Sequence, residues 1–467
     1  MKLVKMSLAA AMLMGASAFA VENVKISGDA KVYYSTSDAV ASNGTGAVGY
    51  DATTSDTDGS LFDKDSSAAD AALHLNVSAD LAPGMVSVGA SYTVLTTLGL
   101  ENNFVSNVWG GAHGATLGEG NTYANNPVTN SVGILGAKVD NASWFNEAWA
   151  AITLGHTTAK VGRMELDTPL AFTETWSIER NSFEGAVLLN QDLPDTTLVA
   201  AWVGNGNGTE AFGDGGMEQS PILNVAGTGI NLAAGPVVNQ DGDFATYGIN
   251  GAYAFAVVNN SFKPLTVQAW YYDVVRLAQA YWIQADLNLE GILLGGQYAN
   301  VDASDLVPAL DANSVYALMA GYSTDMFTVK GAFSSVDDGA GVGAGWNTAT
   351  STGASKLYTE AWWNYGYVSR VDTTAFNISA TATLAGINLG AYYTNATQKD
   401  GLTVTSGSGF TATTKTEDLD MSELTVTAGV TLLGALDVTL AYINTTADDQ
   451  NDGDAYNMVQ GYITLNF

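Results

Sequence analysis

The stretch NMVQGYITLNF, residues 457–467, alternates between two kinds of side chain. One row is apolar apart from a glycine and consists of Val459, Gly461, Ile463, Leu465 and Phe467. The other row is polar or amphipathic and consists of Gln460, Tyr462, Thr464 and Asn466. A period of two is that of a β-strand with two different faces. An unpaired strand this apolar would aggregate in water, so we expect it to pair with the first strand and close a barrel in a membrane.

The amino-terminal residues predict export. Lys2 and Lys5 precede a short apolar core at residues 8–15, and Ala18-Phe19-Ala20 has the small-residue pattern of a cleavage site. We expect residues 1–20 to be a signal peptide and residues 21–467 to form a single outer-membrane β-barrel domain. A transmembrane helix is the alternative reading of this segment, but the apolar core is short for a membrane span.

The composition agrees with a transmembrane barrel. Hydrophobic residues make up 47% of the chain and charged residues 13%, but the apolar residues alternate with polar ones rather than forming continuous runs. This is the sequence signature of transmembrane strands. The 21 Tyr and 10 Trp residues are enough for aromatic girdles at both membrane interfaces, and the lack of Cys excludes a disulfide framework.

The net charge is −31, and loss of Lys2 and Lys5 with the signal peptide makes it −33. Nucleic acid and anionic lipid are therefore poor partners for this protein. Acidic side chains around a pore concentrate cations. The alternative is that the acidic residues only keep the loops soluble.

Strand-like segments alternate with short turns and long polar loops. The clearest strand covers residues 69–81 and is followed by a turn at Pro83-Gly84. The pattern predicts an all-β, antiparallel transmembrane barrel of about 18 strands, within a range of about 16–20, with short periplasmic turns and long extracellular loops. Residues 96–143 and 337–371 each have room for an extra hairpin or helical turn. One reading of Tyr358–Val368 is that it extends a strand.

Several charged side chains fall in the rows opposite the apolar ones. These candidates for lumen-facing positions are Asp80, Asp286, Glu290 and Lys330. A charge on the lipid face near the middle of the bilayer would cost about 2–4 kcal/mol, which favours the inward direction.

Two segments carry a family resemblance. AKVGRMELDTPL at residues 159–170 and ERNSFEG at residues 179–185 resemble the third-loop region of the Campylobacter-type major outer membrane porins. They are more distantly similar to the substrate-specific 18-stranded porins of pseudomonads. Residues 265–298 and the opening MKLVK also resemble the Campylobacter-type family. The row that ends at Phe467 resembles the assembly signal of bacterial outer-membrane β-barrels.

The resemblance implies a trimeric general-diffusion porin in the bacterial outer membrane, inserted by the barrel assembly machinery. It also implies that the third loop, residues 166–182, folds into the lumen. The constriction residues that it implies are the basic Arg163 and Arg180, facing Glu165, Asp167, Glu174 and Glu179. Opposed charges across a narrow waist select solutes by the sign of their charge. The chain lacks the paired leucines of the pseudomonad pattern after Pro169, which argues against recognition of a specific substrate.

Both arginines have a second reading. Arg180 is either a lining residue of the pore or a tie between the loop and the barrel wall. Arg163 lies two residues after Val161, so the alternation could also turn it outward.

No other chemistry is predicted. The segment 448–454, DDQNDGD, begins like a calcium loop, but Val459 stands where an EF-hand needs Glu. A loosely bound divalent cation such as Ca2+ remains an alternative to a solvated loop, and no other cofactor is expected. His74, His113 and His156 lack the spacing of metal ligands, and no nucleophile-elbow or P-loop motif occurs. We therefore do not expect an enzyme.

The function predicted from sequence is passive diffusion of small hydrophilic solutes and ions, with a preference for cations. The alternative is a surface adhesin or structural barrel whose loops bind a partner. The expected partners of the porin are its solutes, outer-membrane lipid, two further copies of the chain and the barrel assembly machinery.

Overall fold

The computed structural model of the chain describes residues 22–39, 60–63, 67–98, 141–176, 178–208, 224–225, 230–231, 244–248, 250–303, 311–339, 343–349, 354–399, 402–405, 411–414 and 418–467. The expected signal peptide and His113 lie outside these residues. Among the described residues, no helix has the length and apolar character needed to cross a membrane.

Eighteen antiparallel strands form one closed barrel, as the sequence predicts. They are β1 (Glu22–Ser37), β2 (Ser67–Ala82), β3 (Val86–Thr97), β4 (Asn141–Leu154), β5 (Thr157–Met164), β6 (Phe183–Asn190), β7 (Thr196–Gly206), β8 (Ala252–Asn259), β9 (Leu265–Val274), β10 (Ala278–Leu289), β11 (Ile292–Ala303), β12 (Asn313–Ser323), β13 (Phe327–Val336), β14 (Thr373–Leu384), β15 (Ile387–Gln398), β16 (Leu419–Leu432), β17 (Leu436–Ala447) and β18 (Tyr456–Asn466).

The barrel closes where β18 pairs with β1. Asp29 lies opposite Asn466, and the pairing continues to Ser37 opposite Met458. Beyond this ladder, the backbones of Gly28 and Phe467 exchange two hydrogen bonds of 2.8 and 3.0 Å. The closure expected from the alternation of residues 457–467 is confirmed, and it removes the open strand edges.

The strands present an apolar surface outward. On β10, Tyr281 and Ile283 are exposed on the outside, whereas Trp282 between them is fully buried inside the barrel. The exposed outer rows of neighbouring strands carry further large aromatic side chains, namely Tyr298, Tyr316, Tyr322, Phe327, Phe333, Phe376, Tyr393 and Tyr442. An apolar outer surface rich in aromatic residues is the surface of a barrel that spans a membrane.

The short turns end the hairpins on one side of the barrel. Two-residue turns at Glu290-Gly291 and Ala385-Gly386 have positive φ at both positions, with Glu290 at 51° and Gly291 at 91°. This backbone follows the twist of a β-hairpin, and glycine adopts it without strain. Glu290 therefore lies in a turn rather than in the lumen-facing row to which the sequence assigns it.

The long loops lie at the other end and contain little regular structure. Asn224–Val225 pairs with Ile230–Asn231, Leu402–Thr405 pairs with Thr411–Thr414, and Ala245–Thr246 adds to the end of β7. Single 3-10 turns form at Tyr367–Ser369 and Asn451–Gly453. The reading of Tyr358–Val368 as a strand extension does not hold, because backbone N–H groups of this segment bond to the side chains of Gln297 and Glu423 on the wall and not to a neighbouring strand.

Candidate functional site

The third loop packs against the inner wall of the barrel. Ile178 is fully buried in a cluster with Tyr33 of β1, Leu95 of β3 and Trp144 of β4. The backbone carbonyl of Arg180 accepts a hydrogen bond from the Asn146 side chain at 2.9 Å. These contacts explain why a loop of this chain carries large apolar side chains, because they replace contacts with water by contacts with the wall.

A charged cluster ties the loop to β1 and β2. His74 Nδ1 lies 2.7 Å from Asp29 Oδ2, and His74 Nε2 lies 3.1 Å from Glu179 Oε2. Glu179 is almost fully buried, and its Oε1 accepts the backbone N–H of Arg180 at 2.7 Å. Burial raises the pKa of Glu179, but the attraction and hydrogen bond of His74 outweigh it, so the net pKa is lowered. Glu179 therefore acts as an anchoring carboxylate.

A second long loop, residues 337–372, also enters the barrel, and we call it the inner loop. The hydroxyl of Tyr358 donates a hydrogen bond to Asp286 on β10 at 2.5 Å. Glu423 on β16 accepts the backbone N–H groups of Trp362, Trp363 and Asn364 at 2.7–2.9 Å. The inner loop is thus fixed to two separate parts of the wall.

Sequence reasoning missed the inward course of this loop. The available signal was the run of aromatic side chains Trp362, Trp363, Tyr365 and Tyr367, since such side chains in a polar loop need an apolar surface to cover. The same argument predicts the inward fold of the third loop from Leu170, Phe172, Trp176 and Ile178.

The two loops meet inside the barrel. Lys356 of the inner loop pairs with Asp167 of the third loop. Asn347 donates a hydrogen bond to Glu174 Oε1 at 2.9 Å, and the rings of Trp176 and Tyr365 lie 5.3 Å apart. Three different contacts therefore join the loops into one partition across the lumen.

A carboxyl group within the inner loop is held by its own backbone. Glu360 Oε1 accepts the N–H groups of Ala361 and Gly366 at 3.0 and 2.9 Å, and Oε2 accepts that of Ser355 at 2.5 Å. Burial of the carboxyl group raises the pKa of Glu360 to about 7.

Two carboxylates of the third-loop region are open to the lumen. The side chain of Asp167 is 92% exposed although the loop lies inside the barrel. Arg180 Nη1 lies 3.3 Å from Glu165 Oε1, and the two side chains are 45% and 35% exposed. By contrast, Glu174 and Glu179 are buried and hold the loop, whereas Glu165, Asp167 and Arg180 contact solvent.

Arg163 does not join this group. It pairs across the ladder with Ala148, whose side chain is exposed on the outer surface, and shares that face with Val161. Its Nε lies 2.7 Å from Glu184 Oε1, and its guanidinium lies over the ring of Phe244. The resemblance assigned Arg163 to the constriction, whereas the pairing of β4 with β5 turns it outward.

The remaining lumen candidates lie in inward rows. Asp80 on β2 accepts a hydrogen bond from Asn23, and Asp286 on β10 holds Tyr358. Lys330 on β13 lies in the row of Ser334, opposite to the exposed row of Val329 and Phe333.

The segment 448–454 uses its carboxylates in local contacts. Asp449 pairs with Arg370 at 2.7 Å, and Asp448 accepts the backbone N–H of Asp420 at 2.9 Å. Within the described parts of the chain, no group of three or more His, Cys, Asp or Glu side chains has the arrangement needed to hold a metal ion.

Comparisons with known proteins identify the fold. No protein-family model and no curated protein matches the chain. Among solved structures, it is similar to OccK8 (OprE) of Pseudomonas aeruginosa, at 14% identity and a TM-score of 0.63 over 96% of this chain and 99% of that chain. For P. aeruginosa OpdK with vanillate, the identity is 13% and the TM-score 0.62, over 96% of this chain and 99% of that chain. For P. aeruginosa OccK2 (OpdF) in complex with glucuronate, the identity is 10% and the TM-score 0.61, over 96% of this chain and 98% of that chain. The chain has the fold of an outer-membrane β-barrel such as the P. aeruginosa outer membrane protein OpdK.

Proposed function

We propose that the chain is an outer-membrane porin through which small hydrophilic solutes and ions diffuse passively. The observation that carries the proposal is the exposure of charged side chains inside the barrel. Asp167 and Arg180 lie on a loop that packs against the inner wall, and yet water reaches both of them. A barrel of this size encloses a water-filled lumen unless loops fill it, and here the loops leave polar groups in contact with solvent.

The proposed waist lies beside the third loop. Glu165, Asp167 and Arg180 would line it together with Lys356, while the buried Glu174 and Glu179 would keep the loop in position. Arg180 would serve both roles that the sequence suggests, because its backbone is bonded to Glu179 and Asn146 while its guanidinium faces Glu165.

A preference for cations forms part of this proposal. The two basic side chains at the waist each have a carboxylate partner, Glu165 for Arg180 and Asp167 for Lys356. Asp80 and Asp286 add negative charge elsewhere along the inward rows. Screening over about 8–10 Å at physiological salt limits the contribution of distant charges, so the groups at the waist matter most.

The proposal also covers the family, the oligomeric state, the insertion pathway, the removal of a signal peptide and the binding of a cation. Membership of the Campylobacter-type porins, assembly as a homotrimer and recognition by the barrel assembly machinery rest on the sequence resemblance. Removal of residues 1–20 and the loose binding of a divalent cation by the acidic loops rest on sequence patterns.

A planar-bilayer recording under a KCl gradient tests the function. We expect stepwise conductance increments and a reversal potential on the side of K⁺ selectivity at low salt. Folded protein that gives no conductance steps would reject the porin and favour the adhesin or structural barrel. A reversal potential on the Cl⁻ side would reject the cation preference alone.

A further inference from the structure

The lumen has one wall without basic residues. Thr373–Gln398 and Leu419–Asn466, which include β14 to β18, contain no Lys or Arg. Their inward rows carry hydroxyl and amide groups instead, including Ser379, Thr381, Asn388, Thr427, Thr439 and Thr464. The opposite rows carry exposed Ile378, Leu389 and Leu440, which fixes the direction of the polar rows.

Two inward carboxylates on this wall, Glu423 and Asp437, accept hydrogen bonds from other groups of the chain. Glu423 binds three backbone N–H groups of the inner loop and the side chain of Asn364. Asp437 accepts hydrogen bonds from Thr431 and Asn466 at 2.6 and 2.8 Å. A solute that passes this wall therefore meets hydroxyl and amide groups and a few hydrogen-bonded carboxylates, but no basic side chain.

An aromatic platform stands on the same wall. An ideal Cβ at Gly390 would lie 2.7 Å from Cε2 and 2.8 Å from the hydroxyl oxygen of Tyr392, so the outer part of the Tyr392 ring occupies the space beside this glycine. The ring of Trp362 stands 5.5 Å from that of Tyr392. Neither ring is fully buried.

Hydrogen bonds to the barrel wall hold the Trp362 ring in place. The indole N–H of Trp362 donates to Gln460 Oε1 at 3.2 Å, and its backbone N–H donates to Glu423 at 2.8 Å. Gln460 also accepts the hydroxyl of Tyr462, whose ring lies 5.1 Å from that of Tyr33. The platform is therefore preorganised and continues along the wall towards the seam of the barrel.

We propose that this wall binds neutral polyhydroxylated solutes of the sugar class, with Tyr392 and Trp362 as the stacking platform and the Thr and Asn rows as hydrogen-bond partners. Sugars have apolar C–H faces that cover an aromatic ring and hydroxyl groups around their edges. A wall without basic residues that carries an aromatic surface and many hydroxyls matches both features. This inference rests on the proposed channel function and names a class of solute for it.

Current block by maltotriose tests the proposal. In a planar bilayer, we expect added maltotriose to reduce the K⁺ current of the wild-type channel in a saturable manner. Tyr392→Ala should raise the half-blocking concentration about fivefold, the equivalent of about 1 kcal/mol for one aromatic contact. Tyr392→Phe should retain the block, because stacking needs the ring and not the hydroxyl.

The matched control is Tyr393→Leu, which removes the neighbouring ring on the outer face of the same strand and should leave the block unchanged. Trp362→Phe supplies a second platform variant that preserves the apolar contact of the inner loop. A conducting channel with no saturable block by maltotriose would overturn this inference and leave the porin intact. If the folded wild-type protein gave no conductance at all, the proposed channel function itself would be rejected.

Discussion

His74 Nε2 on strand β2 lies 3.1 Å from Glu179 Oε2 on the third loop, and the two residues are 105 positions apart in the chain. The other ring nitrogen of His74 faces Asp29 of β1 at 2.7 Å. Because carboxylates only accept hydrogen bonds, this arrangement needs a proton on both ring nitrogens. One imidazolium thus neutralises a buried carboxylate that holds the loop in the lumen.

We expect His74→Leu to loosen the third loop. Glu179 would remain buried without its cationic partner, and breaking such a pair costs about 3–5 kcal/mol. The measurable results are a lower temperature for the heat-induced mobility shift in gels and larger fluctuations of the single-channel current. His156→Leu, in the turn between β4 and β5, is the control and should behave as wild type. Wild-type values for His74→Leu in both measurements would contradict the anchoring role.

Deletion of residues 168–177 should raise the single-channel conductance. The deletion removes Glu174 and Trp176, which join the third loop to the inner loop, and it shortens the segment that we propose as the waist. A deletion of equal length at residues 211–220, between β7 and β8 in the sequence, serves as the comparison. An unchanged conductance in correctly folded protein would mean that the third loop does not set the waist.

Glu360 should make the inner loop sensitive to pH. Its pKa is raised to about 7 by burial, so the folded state favours the protonated carboxyl. The stabilisation of the neutral form is fully present below the ordinary pKa of 4.5 and is lost as the pH rises through about 7, a difference of about 3 kcal/mol.

Backbone amide exchange of residues 355–366 measures this effect. We expect faster exchange at pH 8 than at pH 6 after correction for the intrinsic rate, with strand amides of β10 as the internal reference. Glu360→Gln should remove the pH dependence, since it cannot ionise. Equal corrected rates at both pH values in the wild type would rule out this role for Glu360.

Phe467 should contribute to assembly through its contact with Gly28. A Cβ at Gly28 would lie 2.7 Å from the Phe467 ring and 2.4 Å from the carbonyl oxygen of His74, so the ring packs where only glycine leaves room. Both Phe467→Ser and Gly28→Ala should lower the amount of heat-modifiable barrel in the outer membrane. Thr464→Ser, on the inward row, is the control. Normal amounts of both variants would refute the contribution of this contact.

The sequence was informative where periodicity determines structure. In residues 457–467 each side chain has one of two environments, so the alternation alone predicted that Ile463 and Leu465 face outward and that the strand pairs with β1. The row of β2 that contains His74 and Asp80 follows the same rule. These assignments need no information about distant residues.

The site depends on contacts that periodicity does not encode. The course of the inner loop follows from partners such as Tyr358 with Asp286, 72 positions apart, and Trp362 with Gln460, 98 positions apart. The outward direction of Arg163 follows from its cross-strand pairing with Ala148. A single sequence contains the residue types for these pairs but not the rule that selects one partner over another.

The seam between β18 and β1 separates the anchoring points of the two loops. Gln460 and Tyr456 on β18 bind the indoles of Trp362 and Trp363, while Tyr33 on β1 packs beside Ile178. If β18 and β1 were not paired, the strand that holds the inner loop and the strand that packs against the third loop would lie at two separate edges of an open sheet. The contacts of the two loops with β18 and β1 and the pairing of these two strands therefore stabilise each other.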